Sequence, residues 1–453
     1  MNELNAYWVF TILMSFILIA SGKYDPNWDS LDTRPLPQWY DDAKIGIFLH
    51  WGVFSVPSFH SEWFWSEWIG KSPDIVDYME KNFPPEFSYQ EFAKDFTAEF
   101  FNATQWAEIF TKAGARYVVL TSKHHEGFTL WPSRYSFGWN AKDIGPHRDV
   151  LGELNEAIKR TDIKFGLYHS LYEWFNPIYR ADKATNFSSQ DFVDGKIIPE
   201  IKELVNNYHP SVIWSDGDWE AEDTYWRSTE LLAWLYNESP VKDEVVVNDR
   251  WGIGIPCHHG DFINCKDRYN PGELQKKKWE NAMTIDKDSW GFRRNAKLSD
   301  YLTPLEILTV LARTISCGGN LLINVGPSKE GIINPIFEER LTQLGNWLKI
   351  NGEAIYSSQP WTAQNDSINS NVWYTSKDDA VYAIDLEWPQ NNTVILGSVG
   401  NLFKTADTVV TLLGNGGKLK WALNKDRVEI YLPDKAIVNS DTAWVFKIID
   451  NKL

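Results

Sequence analysis

Two acidic residues that are far apart in the chain stand in otherwise apolar runs. Asp216 ends the run 212–215 and precedes Gly217, and Glu280 follows Trp279. Because Gly217 lets the backbone turn sharply at a strand end, we expect the Asp216 carboxylate to project from that end. Two carboxyl groups on separate strands, one ionised and one raised in pKa by burial against rings, can hydrolyse an acetal. The chain has 61 acidic residues, so a pair of acids is weak evidence for a site by itself. The predicted elements around the pair are needed to judge whether the two residues meet.

Those elements show polar side chains at the ends of several predicted strands. The groups are His50-Trp51, His124-His125-Glu126, Tyr168-His169, Asp216, Asn248-Asp249-Arg250 and Glu280. In parallel barrels the carboxyl ends of the strands, with the loops after them, build the active site. Adjacent strand residues point to opposite faces, so one of Tyr168 and His169 should face the site, and the pattern leaves open which one.

The strands are predicted from seven short apolar runs that alternate with helical patterns through residues 23–355. The runs are Ile45–Gly52, Arg116–Gly127, Lys164–Ser170, Ser211–Trp219, Glu244–Trp251, Lys278–Ile285 and Asn320–Pro327. Nearly continuous apolar runs are typical of strands buried on both faces of a parallel sheet. No glycine-rich nucleotide turn follows the first run, so the pattern predicts an α/β fold of the (β/α)8-like barrel type. One of the eight strands is expected to be irregular or missing.

Two of the intervening helices carry clear start signals. Asp149 stands in a capping position before a helix with one apolar stripe through Ile158. Thr303 opens a capping box with Glu306, and Pro304 occupies the first helical position of a helix predicted through Ser316.

After Pro360 the pattern changes to segments that alternate polar and apolar residues, separated by turn residues such as Asn415-Gly416-Gly417. Alternation with short turns predicts antiparallel strands. We therefore expect a second domain, an antiparallel β-sandwich over residues 356–453, after a catalytic domain over residues 23–355. No low-complexity linker separates them, so the two domains should pack directly.

Several motifs together resemble the α-L-fucosidases of glycoside hydrolase family 29, most closely the animal tissue enzymes. They are FLHWG, SEWFW, YVVLTSKHHEGF, GLYHS, VIWSDGDWE, VVVNDRWG, KWENAMTIDKDSWGFRR and GGNLLINVGPSKEG. These motifs are long, ordered and dispersed from about Tyr24 to the C-terminal sandwich, so the resemblance is specific. It implies a retaining exo-glycosidase that releases terminal α-L-fucose from glycoproteins, glycolipids or oligosaccharides by double displacement.

The resemblance also implies roles for individual residues. Asp216, in WSDG, resembles the family nucleophile, and Glu280, in KWE, resembles the animal-type acid/base. The remaining strand-end residues resemble a sugar-binding set, namely His50, Glu62, Trp63, His124, His125, Tyr168 and Arg250. Imidazoles and a carboxylate can bind ring hydroxyls, and rings can cover the C5 methyl group that distinguishes fucose from galactose. We assign that methyl-facing wall to Trp290.

Composition and motifs argue against other classes. The 44 basic and 61 acidic residues give a net charge of −17, which disfavours nucleic acid and anionic membranes as partners. Aromatic residues make up 15% of the chain, which suits stacking on sugars and equally suits a tryptophan-rich core. The expected partner is a fucosylated glycan.

No metal or organic cofactor is expected. Adjacent strand histidines such as His124 and His125 diverge, and no HExxH motif is present. The acidic stretch from Asp216 has Ala221 and Arg227 where a calcium loop requires Gly and Glu. A GxSxG serine nucleophile motif is also lacking. The alternative from another class is a catalytically inactive, fucose-binding, lectin-like protein, which could lose either carboxylate; the presence of both favours an enzyme.

Residues 1–22 are predicted to be a signal peptide. The apolar run Tyr7–Ile19 has signal-peptide length and is followed by Ala20-Ser21-Gly22, so we expect cleavage after Gly22. The leading MNELN carries no Lys or Arg, which keeps an uncleaved anchor as the alternative. Five sequons agree with secretory transit, at Asn102, Asn186, Asn237, Asn365 and Asn391. The expected location is the lysosome or the extracellular fluid, with no membrane contact after cleavage, and the resemblance suggests a homo-oligomer.

The three cysteines do not form a disulfide scaffold. Cys257 and Cys265 are spaced to close a small loop in an oxidising lumen, and the sequence leaves their bonding open. Cys317, at the end of an apolar helix, is expected to be a buried free thiol.

Overall fold

The computed structural model describes residues 23–404 and 407–450. The predicted signal peptide lies outside the described residues. Among the helices within them, none combines the length and the apolar character that a membrane span requires.

Seven parallel strands form the first sheet, and each corresponds to one of the predicted runs. They are β1 (Ile45–Leu49), β2 (Tyr117–Lys123), β3 (Lys164–Ser170), β4 (Val212–Asp216), β5 (Val246–Val247), β6 (Trp279–Thr284) and β7 (Gly319–Val325). Their order across the sheet is β5-β4-β3-β2-β1-β7-β6. Nearly every strand residue is buried, because the inner face fills the barrel and helices cover the outer face.

Residues 261–264 close the gap between the two edge strands, β5 and β6. The N–H group of Asp261 donates to the carbonyl of Val247, and that of Ile263 donates to the carbonyl of Lys278. This irregular segment occupies the position of the eighth strand. The sheet is therefore curled into a (β/α)8-like barrel, which confirms the predicted fold class.

The helices surround the barrel or cap its ends. They are α1 (Trp28–Leu31), α2 (Gln38–Ala43), α3 (Phe64–Ile69), α4 (Pro73–Asn82), α5 (Ala103–Lys112), α6 (Val150–Ile158), α7 (Pro177–Ala184), α8 (Ile198–Tyr208), α9 (Asp223–Trp226), α10 (Ser228–Asn237), α11 (Pro304–Ser316) and α12 (Pro335–Asn351). Both predicted start signals are confirmed. The Asp149 side chain accepts from the N–H of Gly152, and Thr303 and Glu306 form the reciprocal capping box of α11.

The C-terminal part consists of two antiparallel sheets. Its strands are β8 (Gln359–Asn365), β9 (Val372–Lys377), β10 (Ala380–Asp385), β11 (Thr393–Leu396), β12 (Val409–Leu412), β13 (Lys420–Asn424), β14 (Arg427–Tyr431) and β15 (Trp444–Ile449). One sheet has the order β12-β15-β10-β9-β8 and the other β11-β14-β13, with an apolar core between them. This part packs directly on the barrel helices, and the Trp347 indole of α12 donates to the carbonyl of Ala443.

Candidate active site

The carboxyl ends of the barrel strands surround a cavity of about 70 Å³. Its lining residues are Phe48, His50, Glu62, Trp63, His124, Tyr168, Trp214, Asp216, Trp219, Arg250, Asp267 and Trp290. Three of them, Glu62, Asp216 and Asp267, carry carboxylates. The cavity is thus a small acidic recess with aromatic walls, and its volume leaves room for one sugar ring at most.

Asp216 ends β4 and reaches this cavity, as predicted. One carboxylate oxygen accepts a 3.0 Å hydrogen bond from Arg250, and the other accepts a 2.7 Å bond from the hydroxyl of Tyr168. Gly217 follows with a φ of 86°, a left-handed conformation that glycine adopts without strain. The two hydrogen bonds and the turn fix the orientation of the carboxylate.

The same contact decides between Tyr168 and His169. Tyr168 lines the cavity, whereas the ring of His169 faces the outside of the barrel, where its Nε2 lies 3.1 Å from a carboxylate oxygen of Glu200 on α8. Their opposite directions follow from the alternation of side chains along β3.

Arg250 joins two carboxylates at the cavity. Its Nη1 donates to Asp216, and its Nη2 donates a 2.6 Å bond to Asp267, while the guanidinium carbon lies 4.6 Å from the ring centre of Trp214. Burial acts to raise the pKa of Asp267, but the positive charge of Arg250 outweighs it and holds that pKa below the usual value. The side chain of Asp267 is 47% exposed and that of Asp216 is 11% exposed. Asp267 therefore stands at the mouth of the cavity and Asp216 at its floor.

Glu280 does not line the cavity, and the prediction that it faces Asp216 across one site is wrong. It is the second residue of β6 and pairs with Asn320, the second residue of β7, so it lies near the amino ends of these strands. The sequence pattern places Glu280 at the carboxyl end of a strand, but β6 begins at Trp279, so Glu280 is at the amino end. Glu280 therefore belongs to the interior of the barrel.

Four donors satisfy the buried Glu280 carboxylate. The hydroxyls of Tyr40 and Tyr117 donate to Oε2 at 2.7 and 2.6 Å, and the Trp214 indole and the Asn264 amide donate to Oε1 at 2.9 and 3.2 Å. Burial raises the pKa of this group, and the hydrogen bonds oppose that shift. Such a closed set of partners leaves no oxygen directed at a substrate.

His50 presents one ring nitrogen to the cavity in a defined state. Its Nδ1 lies 2.8 Å from the amide oxygen of Asn324, and the amide nitrogen of Asn324 donates to the carbonyl of Trp290. Because the Asn324 oxygen must accept, Nδ1 of His50 carries the proton and Nε2 is an acceptor. Burial lowers the pKa of His50 to about 3, so the ring is neutral at physiological pH.

Glu62 is anchored at the opposite wall. Its Oε2 accepts the backbone N–H groups of Trp290 and Gly291, both at 3.0 Å. Burial raises the pKa of this carboxyl. The other oxygen, Oε1, can accept from a bound hydroxyl, since a carboxylate offers acceptor sites on both oxygens.

The two predicted histidines after β2 differ in position. His124 lines the cavity, with its ring centre 5.7 Å from that of Tyr168. His125 lies behind the wall, where its ring stacks on Tyr172 at 4.5 Å and its Nε2 is 3.5 Å from Asp216. Burial lowers the pKa of His125 well below its usual value, and nearby positive charges such as that of Lys123 lower it further. His125 thus lies beside the Asp216 carboxylate and is not one of the residues that line the cavity.

Aromatic rings form the remaining walls. The predicted Trp63 and Trp290 both line the cavity, and Trp290 lies 5.1 Å from His50 and 5.9 Å from Phe48 between ring centres. Four lining residues were not predicted as site residues, namely Phe48, Trp214, Trp219 and Asp267. The alternation of inward residues along β1 and β4 could have indicated Phe48 and Trp214.

Asp218, beside this site, is a further buried carboxyl. Burial and the negative charge of Asp216 raise its pKa to about 7. A raised pKa is a property of general acids. However, Asp218 does not line the cavity, so its position does not suit proton transfer to a bound group.

The loop that carries Arg250 and Asp267 is held by a disulfide. Cys257 is bonded to Cys265, and the Asp249 carboxylate accepts the N–H groups of both cysteines at 2.7 and 3.0 Å. Cys317 is a buried free thiol, as predicted.

The predicted glycosylation sites fall into two groups. Asn102, Asn186 and Asn391 are exposed. Asn237 and Asn365 are half-buried, and their amide nitrogens donate to backbone carbonyls, in the case of Asn365 to those of both Ser370 and Val372.

Comparison with known proteins gives the same family over nearly the whole chain. The family profile described as alpha-L-fucosidase matches residues 11–353, and the profile of the alpha-L-fucosidase C-terminal domain matches residues 364–449. The chain is 57% identical over 430 residues to an alpha-L-fucosidase of Branchiostoma floridae, covering 94% of this chain and 95% of that protein. It is 54% identical to the tissue alpha-L-fucosidase of Homo sapiens, covering 94% and 92% of the two chains.

Solved structures agree with the sequence relatives. The Thermotoga maritima alpha-fucosidase in complex with fucose superposes with a TM-score of 0.82 at 32% identity. The match covers 94% of this chain and 100% of that chain. A family 29 alpha-L-fucosidase from Bacteroides thetaiotaomicron superposes with a TM-score of 0.75 at 25% identity, covering 91% and 94%.

Proposed function

The chain belongs to the α-L-fucosidase family, and we propose that it is a retaining exo-glycosidase that releases terminal α-L-fucose by double displacement. The observation that carries the proposal is the pair of carboxylates, Asp216 and Asp267, bound to the two terminal nitrogens of Arg250 in one small cavity. Retaining glycosidases need two carboxyl groups about 5 to 5.5 Å apart. One shared guanidinium suits that spacing.

In the first step of this proposal, an oxygen of Asp216 forms a bond to the anomeric carbon of fucose. The bond between that carbon and the glycosidic oxygen breaks, and the proton of Asp267 moves to the departing oxygen. The products are a fucosyl ester of Asp216 and a free alcohol. Arg250 and Tyr168 hold the attacking carboxylate in line while the charge on it is lost.

In the second step, water replaces the alcohol. Asp267, now ionised, takes a proton from the water, whose oxygen forms a bond to the anomeric carbon as the ester bond to Asp216 breaks. Each step inverts the anomeric carbon, so fucose leaves with its original configuration.

Asp267 is proposed as the acid/base because of where it stands. The departing oxygen and the incoming water must both be at the mouth of the cavity, and Asp267 is the more exposed of the paired carboxylates. Glu62 is tied to two backbone N–H groups at the wall, and Glu280 is enclosed in the barrel. Arg250 lowers the pKa of Asp267, so the protonated form that acts as the acid requires an acidic medium.

The other cavity residues are proposed to bind the sugar. The lone pair on His50 Nε2 and the free oxygen of Glu62 accept ring hydroxyls, and His124 contributes a third polar group. Trp290, beside Phe48, gives an apolar surface for the C5 methyl group.

The decisive experiment is an assay of the purified protein on an aryl α-L-fucoside beside the corresponding galactoside, with the first anomer of the product followed by NMR. We expect hydrolysis of the fucoside alone, with α-fucose as the first product. β-Fucose as the first product would contradict double displacement. Binding of fucose without any turnover would support the lectin-like alternative.

We further propose that the chain enters the secretory pathway, loses residues 1–22, and acts in the lysosome or outside the cell as a homo-oligomer. The relatives named tissue and plasma alpha-L-fucosidase support such a location. N-terminal sequencing of the mature protein, with its mass in solution by light scattering, tests these points. An N-terminus at Met1 would instead favour the uncleaved anchor.

A further inference from the structure

Trp219 differs from the other tryptophans in its exposure. It is 44% exposed, and it is the one exposed tryptophan in the part of the chain that the structure describes. It is also a lining residue of the cavity. What distinguishes Trp219 from other exposed apolar residues is this position, because a flat ring at the edge of a recess is available to a ligand that extends out of it.

The ring of Trp219 is held in place on one side. The short turn Asp218–Glu220 carries it directly after the Asp216-Gly217 turn. Its ring centre lies 6.1 Å from that of Trp63, 5.7 Å from that of His125 and 5.8 Å from that of Tyr172. The exposed part of the ring is therefore fixed without any contribution from a ligand.

The leaving group must extend from the mouth of the cavity, and Trp219 is one of the exposed residues there. The cavity of about 70 Å³ encloses one sugar ring at most, so the group attached to the glycosidic oxygen projects through the mouth. The mouth has two exposed lining residues, Asp267 and Trp219. If Asp267 protonates the glycosidic oxygen, the next sugar lies outside the cavity, where Trp219 is the exposed ring among the lining residues.

We propose that Trp219 is the platform on which the first leaving-group sugar stacks, an inference that rests on the proposed function. The apolar C–H face of a pyranose matches the negative face of an indole, as in other contacts of aromatic rings with positively polarised edges. The mouth carries the carboxylate of Asp267, and the whole chain has a charge of −17, so the sugar it accepts is neutral rather than acidic.

The test compares two fucosides that differ only in the leaving group. One is α-L-fucosyl fluoride, which has no sugar to stack, and the other is an α-L-fucosyl-(1→2)-galactoside. For Trp219→Ala, we expect the ratio of kcat/KM on the disaccharide to kcat/KM on the fluoride to fall at least tenfold. For Trp219→Phe, we expect the ratio to stay within threefold of wild type, because a smaller ring still provides a flat face.

Phe137→Ala is the matched control. Phe137 is 92% exposed and does not line the cavity, so its removal should leave the ratio unchanged. A Trp219→Ala variant that loses activity equally on both substrates, or on neither, would overturn the inference. If the wild-type protein hydrolyses neither substrate, the proposed function fails instead, so the two failures are distinguishable.

Discussion

The indole nitrogen of Trp214 donates a 2.9 Å hydrogen bond to Glu280, and these two residues belong to different layers of the barrel. Trp214 lines the cavity and lies under the guanidinium of Arg250, whereas Glu280 is enclosed with Tyr40 and Tyr117. Glu280 therefore reaches the cavity through its hydrogen bond to Trp214 rather than by a contact of its own with a bound sugar. It is a positioning residue, and this separates its expected mutant behaviour from that of an acid/base.

Replacement of Glu280 should lower the stability of the fold rather than slow one particular chemical step. Glu280→Ala leaves buried donors without partners, at a cost of about 1 to 3 kcal/mol for each orphaned group. We expect a lower free energy of unfolding by denaturant, and a loss of activity that is the same for aryl fucosides and natural glycosides. Glu280→Gln, which keeps the shape and one acceptor oxygen, should lose less stability. A selective loss on natural glycosides would restore Glu280 as the acid.

Asp267→Ala should give the selective loss that Glu280→Ala does not. Natural glycosides need a protonated leaving group, whereas a dinitrophenolate departs without one. We expect kcat/KM to fall about 10² to 10⁴-fold on a natural fucoside and far less on the dinitrophenyl fucoside.

Asp218→Asn is the matched control for that experiment. It removes another buried carboxyl next to Asp216 that does not line the cavity. Its effect should be similar on both substrates. Similar losses for Asp267→Ala on the two substrates would exclude Asp267 as the acid.

Asp385, in β10 of the sandwich, should make the protein more stable at acidic pH. Burial raises its pKa to about 7, while an aspartate in an unfolded chain titrates near 3.9. The folded state therefore holds the proton more tightly. The stabilisation is complete below about pH 4 and is lost as the pH rises through about 7, a change of up to about 4 kcal/mol.

Asp385→Asn isolates this contribution, because an amide does not titrate. We expect the difference in unfolding free energy between wild type and the variant to shift against the wild type as the pH rises from 4 to 7.5. Denaturant titrations at several pH values measure it. A difference that stays constant over this range would contradict the assignment.

The glycosylation pattern should follow the hydrogen bonds of the sequon asparagines. Both hydrogens of the Asn365 amide are used by the carbonyls of Ser370 and Val372, and a glycan on that nitrogen would remove one of them. We expect occupancy at Asn102, Asn186 and Asn391 and an unmodified Asn365. Peptide mass spectrometry after enzymatic deglycosylation in labelled water reads each site. Full occupancy at Asn365 would contradict this reading.

The barrel and its strand ends were predictable because the signal is local. Runs buried on both faces, such as that of β7, are mostly apolar, and Asp216 comes at the end of its run, where the following glycine marks the strand end. Glu280 was misplaced because an apolar run does not show where the strand begins relative to its neighbours. That register depends on the pairing of β6 with β7.

Asp267 was missed for a different reason. It lies in the loop between Cys265 and β6, where no periodic pattern relates a side chain to the barrel. Its position depends on the disulfide, on Asp249 and on the contact with Arg250, all of which act across the fold. Trp219 was within a predicted run, but its exposure is a property of the assembled cavity.

The most direct measurement of the central claim is the anomer of the fucosyl azide formed by two variants in the presence of azide. In Asp216→Gly, azide attacks the sugar itself, so one inversion should give β-L-fucosyl azide, with activity otherwise reduced by orders of magnitude. In Asp267→Gly, azide attacks the ester on Asp216, so two inversions should give the α-anomer. The same anomer from both variants, or more than a tenth of wild-type activity in Asp216→Gly without azide, would contradict the account.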